Sequence, residues 1–292
     1  MELEKIFGLW RIAVPRASAY SLAFSPDGQT LICGGADRMI LVWEFRTVRL
    51  RHYLRRHPDW VYSVAITPDG QTLVSGSLDT TINIWNLSSG KAIRTLVGHS
   101  DTVCSVAITP DGQRIVSGSK DTTVKVWDFK TGQEIRTLTH HSDWVYSVAI
   151  TPDGQTIVSG CADATIQVGE KGKLTGHAAS VTSVAITPEG QTIVSGSIDE
   201  TIKVWDLQTG QELRTLAGHP GGVTSVAITP DGRRIVSGGN DKLVKVWDLK
   251  TGKHVHTFTG HLEAVLSVAI DPTGQMIASG CRNDAIRVWI MP

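Results

Sequence analysis

The chain has 292 residues, 41% of them hydrophobic, with 28 basic and 28 acidic side chains. That length supports a large core, as one extended domain or two ordinary ones. The charge balance leaves no global field to pull the molecule toward nucleic acid or an anionic membrane, and 29 glycines, above the usual share of roughly 7%, point to many tight turns.

The first fifteen residues, MELEKIFGLWRIAVP, carry acids where a secretory leader carries basic residues, and they lack a long apolar run. No later window offers about 18 apolar residues in a row, so no membrane span is expected. Cysteines at 33, 104, 161 and 281 stand apart without a CxxC pair. Neither a zinc site nor a disulfide framework is indicated, and a reducing, cytoplasmic setting is expected.

From residue 25 onward one turn motif keeps returning: SPDG at 25, TPDG at 67, 109 and 151, TPEG at 187, TPDG at 229 and DPTG at 271. The steps are 42, 42, 42, 36, 42 and 42 residues, a period that signals a repeat architecture. Seven units, starting near residues 18, 60, 102, 144, 180, 222 and 264, account for nearly all of 1–292 as a single domain. Fourteen residues, DWVYSVAITPDGQT, occur at 59–72 and again at 143–156.

Each unit reads as four short strands. VYSVAI is mostly apolar, as a strand buried on both faces would be. The TPDG after it has proline at the second turn position and glycine at the fourth, a type I turn signature. QTLVSGS is the second strand, TTINIW the third and KAIRTL the fourth, entered through SSG or KTG. β-branched residues dominate, and no helical period competes.

Units with GH near the start, an Asp before the third strand and a final WD, such as GHSDTVCSVAITPDGQRIVSGSKDTTVKVWD at 98–128, resemble WD40 repeats of the beta-transducin-like family. The near-identical tandem copies are similar to those of bacterial, especially cyanobacterial, members. The resemblance covers essentially the full length and implies an all-β, seven-bladed β-propeller of four-stranded antiparallel blades around a central channel. The seventh unit stops after its third strand, AIRVWI at 285–290, whereas GLWRI at 8–12 aligns with the fourth-strand position preceding the first unit. The N-terminal strand is therefore expected to complete the last blade and leave the ring no mismatched edge.

His57, Ser75 and Asp79 are the residue types of a serine hydrolase. The set recurs as His99, Ser117, Asp121; His141, Ser159, Asp163; His177, Ser195, Asp199; and His219, Ser237, Asp241. A catalytic reading needs one exposed nucleophile and an oxyanion hole, not a copy in every unit. The resemblance implies instead a buried hydrogen-bonded tetrad within each blade, completed by Trp85, Trp127, Trp205 and Trp247 in the units of His57, His99, His177 and His219. A satisfied network of this kind fixes one strand arrangement. Neither metal nor cofactor is expected: copies in separate blades do not converge on one ion, and each aspartate has a histidine to accept from.

Three units depart from the pattern. Unit 1 has Pro15 where His is expected and Cys33 for Ser, and unit 7 has Asn283 at the Asp position. Unit 4, TIQVGEKGKLTGH at 165–177, is six residues short and has Gly169 in place of Trp. It reads as drift or as a docking groove on the rim. RTVRLRHYLRRH at 46–57 gathers Arg46, Arg49, Arg51, Arg55 and Arg56, a solvated outer face or a patch for an acidic partner or nucleic acid.

The resemblance places the loop after GH and the turn before the third strand at one end of the ring, the top. The residue ending the GH loop varies: Ser18, Trp60, Thr102, Trp144, Ser180, Gly222 and Ala264. So does the residue before the tetrad Asp: Ala36, Leu78, Lys120, Ala162, Ile198, Asn240 and Arg282. Positions the scaffold leaves free are where binding can be written. The expected function is a non-catalytic scaffold, a monomeric propeller that binds a protein or peptide through Trp60, Trp144, Leu78, Ile198, Lys120 and Arg282 in a signalling or regulatory assembly. The alternatives are a propeller enzyme with substrate at the channel mouth, or nucleic-acid or acidic-partner binding on the arginine strand.

Overall fold

The computed structural model describes residues 4–6, 9–12, 18–282 and 286–292; of 4–6 and 9–12 only the strand pairing is considered. Pro15 and Asn283 therefore lie outside the described residues, as does residue 8 of the expected strand at 8–12. The described residues form seven antiparallel sheets with no helix among them, and so no helix long and apolar enough to cross a membrane.

Six sheets run in simple sequence order. In blade 3 the strands Val103–Ile108, Arg114–Ser119, Val124–Asp128 and Glu134–Leu138 lie side by side. The apolar stretches occupy the inner positions: in Arg114–Ser119 every residue after the first is buried, whereas Glu134–Leu138 is largely exposed. That gradient is the signature of sheets stacked face to face with their outermost strands in solvent.

The core lies between blades, not within them. Val74, Ile82, Ile84 and Leu96 of blade 2 pack on Val103, Val106, Ile115 and Trp127 of blade 3. The same relation joins the ends of the chain, where Ala278, Ile286 and Val288 of blade 7 pack on Ala19, Leu22, Leu31 and Trp43 of blade 1. Each blade is thus stabilised by its neighbours, as in other repeat proteins.

Two rings of small contacts tie the blades together. Around the channel, seven serine hydroxyls each accept a backbone N–H from the following blade at 3.0–3.2 Å, from Ser21 and Val64 to Ser267 and Leu22. At the TPDG turns, Gly70 N–H donates to Thr67 O at 2.8 Å, and φ of +71° favours glycine. A Cβ on Gly70 would lie 3.6 Å from Pro26 Cδ of the preceding blade, and one on Gly28 would lie 3.4 Å from Pro272 of the last. The glycine serves the turn and the blade contact together.

Blade 7 contains Val265–Ile270, Met276–Cys281 and Ile286–Ile290. Leu9–Ile12 runs antiparallel to the last of these, with Trp10 opposite Val288 and Ile12 opposite Ile286, and Glu4–Ile6 pairs beyond it. Blade 4 is the irregular one: its outer strands Ile166–Val168 and Gly172–Leu174 have three residues each.

Candidate functional site

The repeated histidines sit inside the blades. His57 Nδ1 lies 2.6 Å from Asp79 Oδ2 and its Nε2 lies 2.8 Å from Ser75 Oγ, to which Trp85 Nε1 donates at 2.9 Å. His99, Ser117, Asp121 and Trp127 repeat the geometry, as do His177, Ser195, Asp199 and Trp205, and His219, Ser237, Asp241 and Trp247. Indole can only donate and carboxylate can only accept, so the network has one polarity. Trp N–H donates to Ser, Ser O–H to His Nε2, and His Nδ1–H to Asp. All four serines are fully buried, so none is a nucleophile facing substrate.

The carboxylates of Asp79, Asp121 and Asp199 are held below the usual range. Burial pushes Asp199 up, but hydrogen bonds from the Thr201 hydroxyl, the Ala178 N–H and His177 outweigh it and leave the carboxyl at about 2. Blade 1 provides the contrast, with Cys33 at the serine position. Trp43 Nε1 has no hydrogen-bond partner among the described residues, and burial of Asp37 carries its carboxyl above the usual range.

At the top of the ring the two freely varying positions are backbone neighbours. Leu78 N–H donates to Trp60 O at 2.9 Å, Lys120 N–H to Thr102 O at 2.9 Å, Ala162 N–H to Trp144 O at 2.8 Å and Arg282 N–H to Ala264 O at 3.0 Å. Ala36 with Ser18, Ile198 with Ser180, and Asn240 with Gly222 complete the seven pairs. Each blade therefore presents a two-residue tip whose side chains the fold does not dictate.

Trp60 is 38% exposed and Trp144 is 42% exposed. Neither indole stands alone. Trp60 stacks on Tyr20 of blade 1 at 5.8 Å between ring centroids, and Tyr20 lies 4.8 Å from Tyr62. The Lys120 ammonium of blade 3 sits 4.4 Å from the Trp144 centroid and 6.0 Å from Tyr62, and Trp144 meets Tyr146 edge to face. A cation so placed is worth about 0.5–2 kcal/mol. The result is an aromatic arc over blades 1 to 4.

The arc borders a depression of about 460 Å³ at the channel mouth, lined by Tyr20, Tyr62, Tyr146, Cys104, Lys120, Arg282, Leu266 and part of the serine ring. Its two cations face no acidic lining residue. Of the residues expected at this face, Lys120 and Arg282 line the depression, and Trp60 and Trp144 flank it through their contacts with Tyr20 and Lys120. Ile198, exposed on blade 5, and Leu78, half-buried beside Trp60, do not line it. Tyr20, Tyr62 and Tyr146, close to the tryptophan positions in sequence, line the depression itself. Each is the second residue of a first strand, where Cys104, Thr182, Thr224 and Leu266 stand in the other blades.

Burial pushes the Cys104 thiol and the Tyr62 hydroxyl up to about 12 each. These are inert groups at neutral pH, not activated nucleophiles or bases.

The family described as "WD domain, G-beta repeat" matches seven times, over residues 14–44, 48–86, 90–128, 132–168, 170–206, 210–248 and 252–289. This chain belongs to the WD40 family. Comparison with curated proteins gives no match.

The WD40 pattern breaks most in blade 4. His141 Nε2 keeps Ser159 Oγ at 2.6 Å, but His141 Nδ1 has no hydrogen-bond partner among the described residues. The expectation that every tetrad aspartate accepts from its histidine therefore fails here. The shortened fourth strand sets Lys173 opposite Gln167, and Asp163 turns to Lys173 Nζ at 3.3 Å and to Ser142 Oγ at 2.9 Å. Burial pushes His141 down to about 4. The space of the absent Trp has closed to a cavity of about 10 Å³ beside Gly169, barely the room for one water.

In this WD40 ring the blade 1 arginines lie outside. Along Arg49–Arg55 every second residue is exposed, so Arg49, Arg51, Tyr53 and Arg55 share the solvent face, and Arg46 and Arg56 are exposed beside them. Arg56 Nε donates to Thr95 Oγ1 at 3.0 Å. No ion pair to another described residue engages any of the five.

Proposed function

We propose that this WD40 propeller is a non-catalytic interaction platform in a cytoplasmic regulatory assembly, binding a protein segment across its top face. The observation that carries the reading is the aromatic arc with Lys120 seated on it, half-exposed at the rim of a cationic depression. Large aromatics beside a channel mouth supply apolar anchors at low entropic cost. Lys120 and Arg282 favour a segment that brings a carboxylate or another anion next to its apolar side chains. The buried tetrads and inert lining groups support a scaffold over an enzyme.

The test is a pull-down from source-cell lysate comparing wild type with the Trp60→Ala plus Trp144→Ala variant, after matched circular dichroism melts. Loss of a band with the tryptophans supports the top face and identifies the partner. Survival of every band removes the top face from consideration.

The exposed, unpaired arginines of blade 1 favour a second reading, an acidic partner on the outer strand. Binding through them weakens strongly between low and moderate salt. A salt-insensitive complex excludes it.

A further inference from the structure

We infer that blade 4 holds a divalent transition-metal ion of the zinc type on His141 Nδ1, Cys161 Sγ and the Asp163 carboxylate. One ligand atom from each residue, a ring nitrogen in the case of His141, lies within 4.8 Å of the other two, the one such His/Cys/Asp/Glu group among the described residues. The irregularity of blade 4 is then a site.

The argument begins with the missing tryptophan. In the sister blades His Nδ1 carries the proton toward Asp, so Nε2 is the acceptor and serine, which also accepts the Trp N–H, donates to it. In blade 4 no indole reaches Ser159. Its oxygen can accept Nε2–H, which leaves the Nδ1 lone pair bare. That is the tautomer a metal needs, held by a hydrogen bond on the other ring nitrogen. His141 is 7% exposed, and its Nδ1 finds no hydrogen-bond partner among the described residues. Such an orphan is costly unless something fills the position.

The second feature is Cys161, fully buried at the position of Ser77, Ser119 and Ser197 in blades 2, 3 and 5. Its Sγ contacts Asp143 O at 3.3 Å and receives the Asp163 N–H at 3.4 Å. It replaces a hydroxyl with a far better ligand for a borderline metal. One nitrogen, one sulfur and one carboxylate oxygen form a three-ligand zinc set, with water in the fourth position. Coordination releases the Cys161 thiol proton to solvent, and the thiolate becomes the ligand.

The three atoms, within 4.8 Å of one another, must draw in for this, since ligands around zinc sit about 3.5 Å apart. The Asp163 oxygen that meets Lys173 Nζ then turns to the ion. Ser142 Oγ, bonded to Asp163 and exposed, lies on the side open to solvent. Lys173 competes with the ion for the same oxygen.

Cobalt(II) titration of the chelator-treated full-length protein tests the site. The expected result is a thiolate-to-metal charge-transfer band that zinc(II) abolishes and that is absent in Cys161→Ser. That substitution installs the residue of the sister blades, so the metal-free fold is retained, as a matched melt will show. Cys33→Ser, Cys104→Ser and Cys281→Ser keep the band. Asp163→Asn weakens binding and Lys173→Ala tightens it. No band in either wild type or Lys173→Ala, or a band that survives Cys161→Ser, overturns the proposal.

Discussion

The hydroxyl of Ser267 in the last blade accepts the backbone N–H of Leu22 in the first at 3.0 Å, the same bond that Ser225 makes to Val268 within the chain at 3.2 Å. The joint between the ends is therefore built like a joint between consecutive blades. Removing the acceptor leaves a buried N–H unsatisfied, at about 1–3 kcal/mol. Ser267→Ala and Ser225→Ala should lower the denaturation free energy by similar amounts. A silent Ser267→Ala beside a damaging Ser225→Ala would mean that the seventh joint is open in solution.

The pairing of Leu9–Ile12 with Ile286–Ile290 makes the N-terminal segment a candidate clasp. Deleting residues 1–12 exposes the edge of blade 7 and removes several ladder bonds, each worth about 1 kcal/mol. The whole ring should then melt earlier, in one transition. An unchanged melting point would assign closure to the serine and proline rings alone.

The tetrads set the response to acid. Asp199 is depressed to about 2, so its stabilisation is complete above the unfolded value near 4 and is lost as pH falls toward 2. Burial lowers His177 and His219, with their aspartates acting against it. These histidines resist protonation that the unfolded chain accepts below about 6.5. Both signs agree: stability falls on acidification. Urea midpoints at pH 7, 5 and 3 should decrease in that order, and a midpoint that rises on acidification contradicts the scheme.

Asp37 has the opposite sign, because burial raises its carboxyl. Asp37→Asn should shift stability at pH 7 by no more than about 0.5 kcal/mol. Asp199→Asn should cost about 1–3 kcal/mol through its lost charged hydrogen bonds. Equal losses in urea titrations would show that blade 1 carries a working network after all.

Gly169→Trp restores the repeat pattern but not the space. Gly169 has φ of +46°, and the cavity beside it holds about 10 Å³. Overpacking of this kind costs about 1–3 kcal/mol, so the variant should melt below wild type. A stabilised variant would make blade 4 a simple relic of drift.

The seven turn motifs, the period of 42 residues broken once by 36 and the Gly169 vacancy are all legible in the sequence, because each is a local residue choice. The GH-loop and pre-Asp positions also betray themselves by varying where their neighbours do not. Their backbone bonding as seven pairs is a tertiary result.

So is the aromatic arc. Tyr20 and Trp60 stand 40 residues apart and Lys120 and Trp144 stand 24 apart; only the packing of neighbouring blades at a fixed angle stacks one pair and seats the cation of the other. Blade 4 shows the same division. A reading by spacing assigns Asp163 to His141, since those positions pair in the regular blades. A six-residue deletion shortens the outer hairpin, brings Lys173 to the carboxylate and releases the imidazole. Sequence alone determined which residue types recur and where the pattern lapses. Which charges compete across a lapse depends on distances between strands, and those exist only in the folded ring.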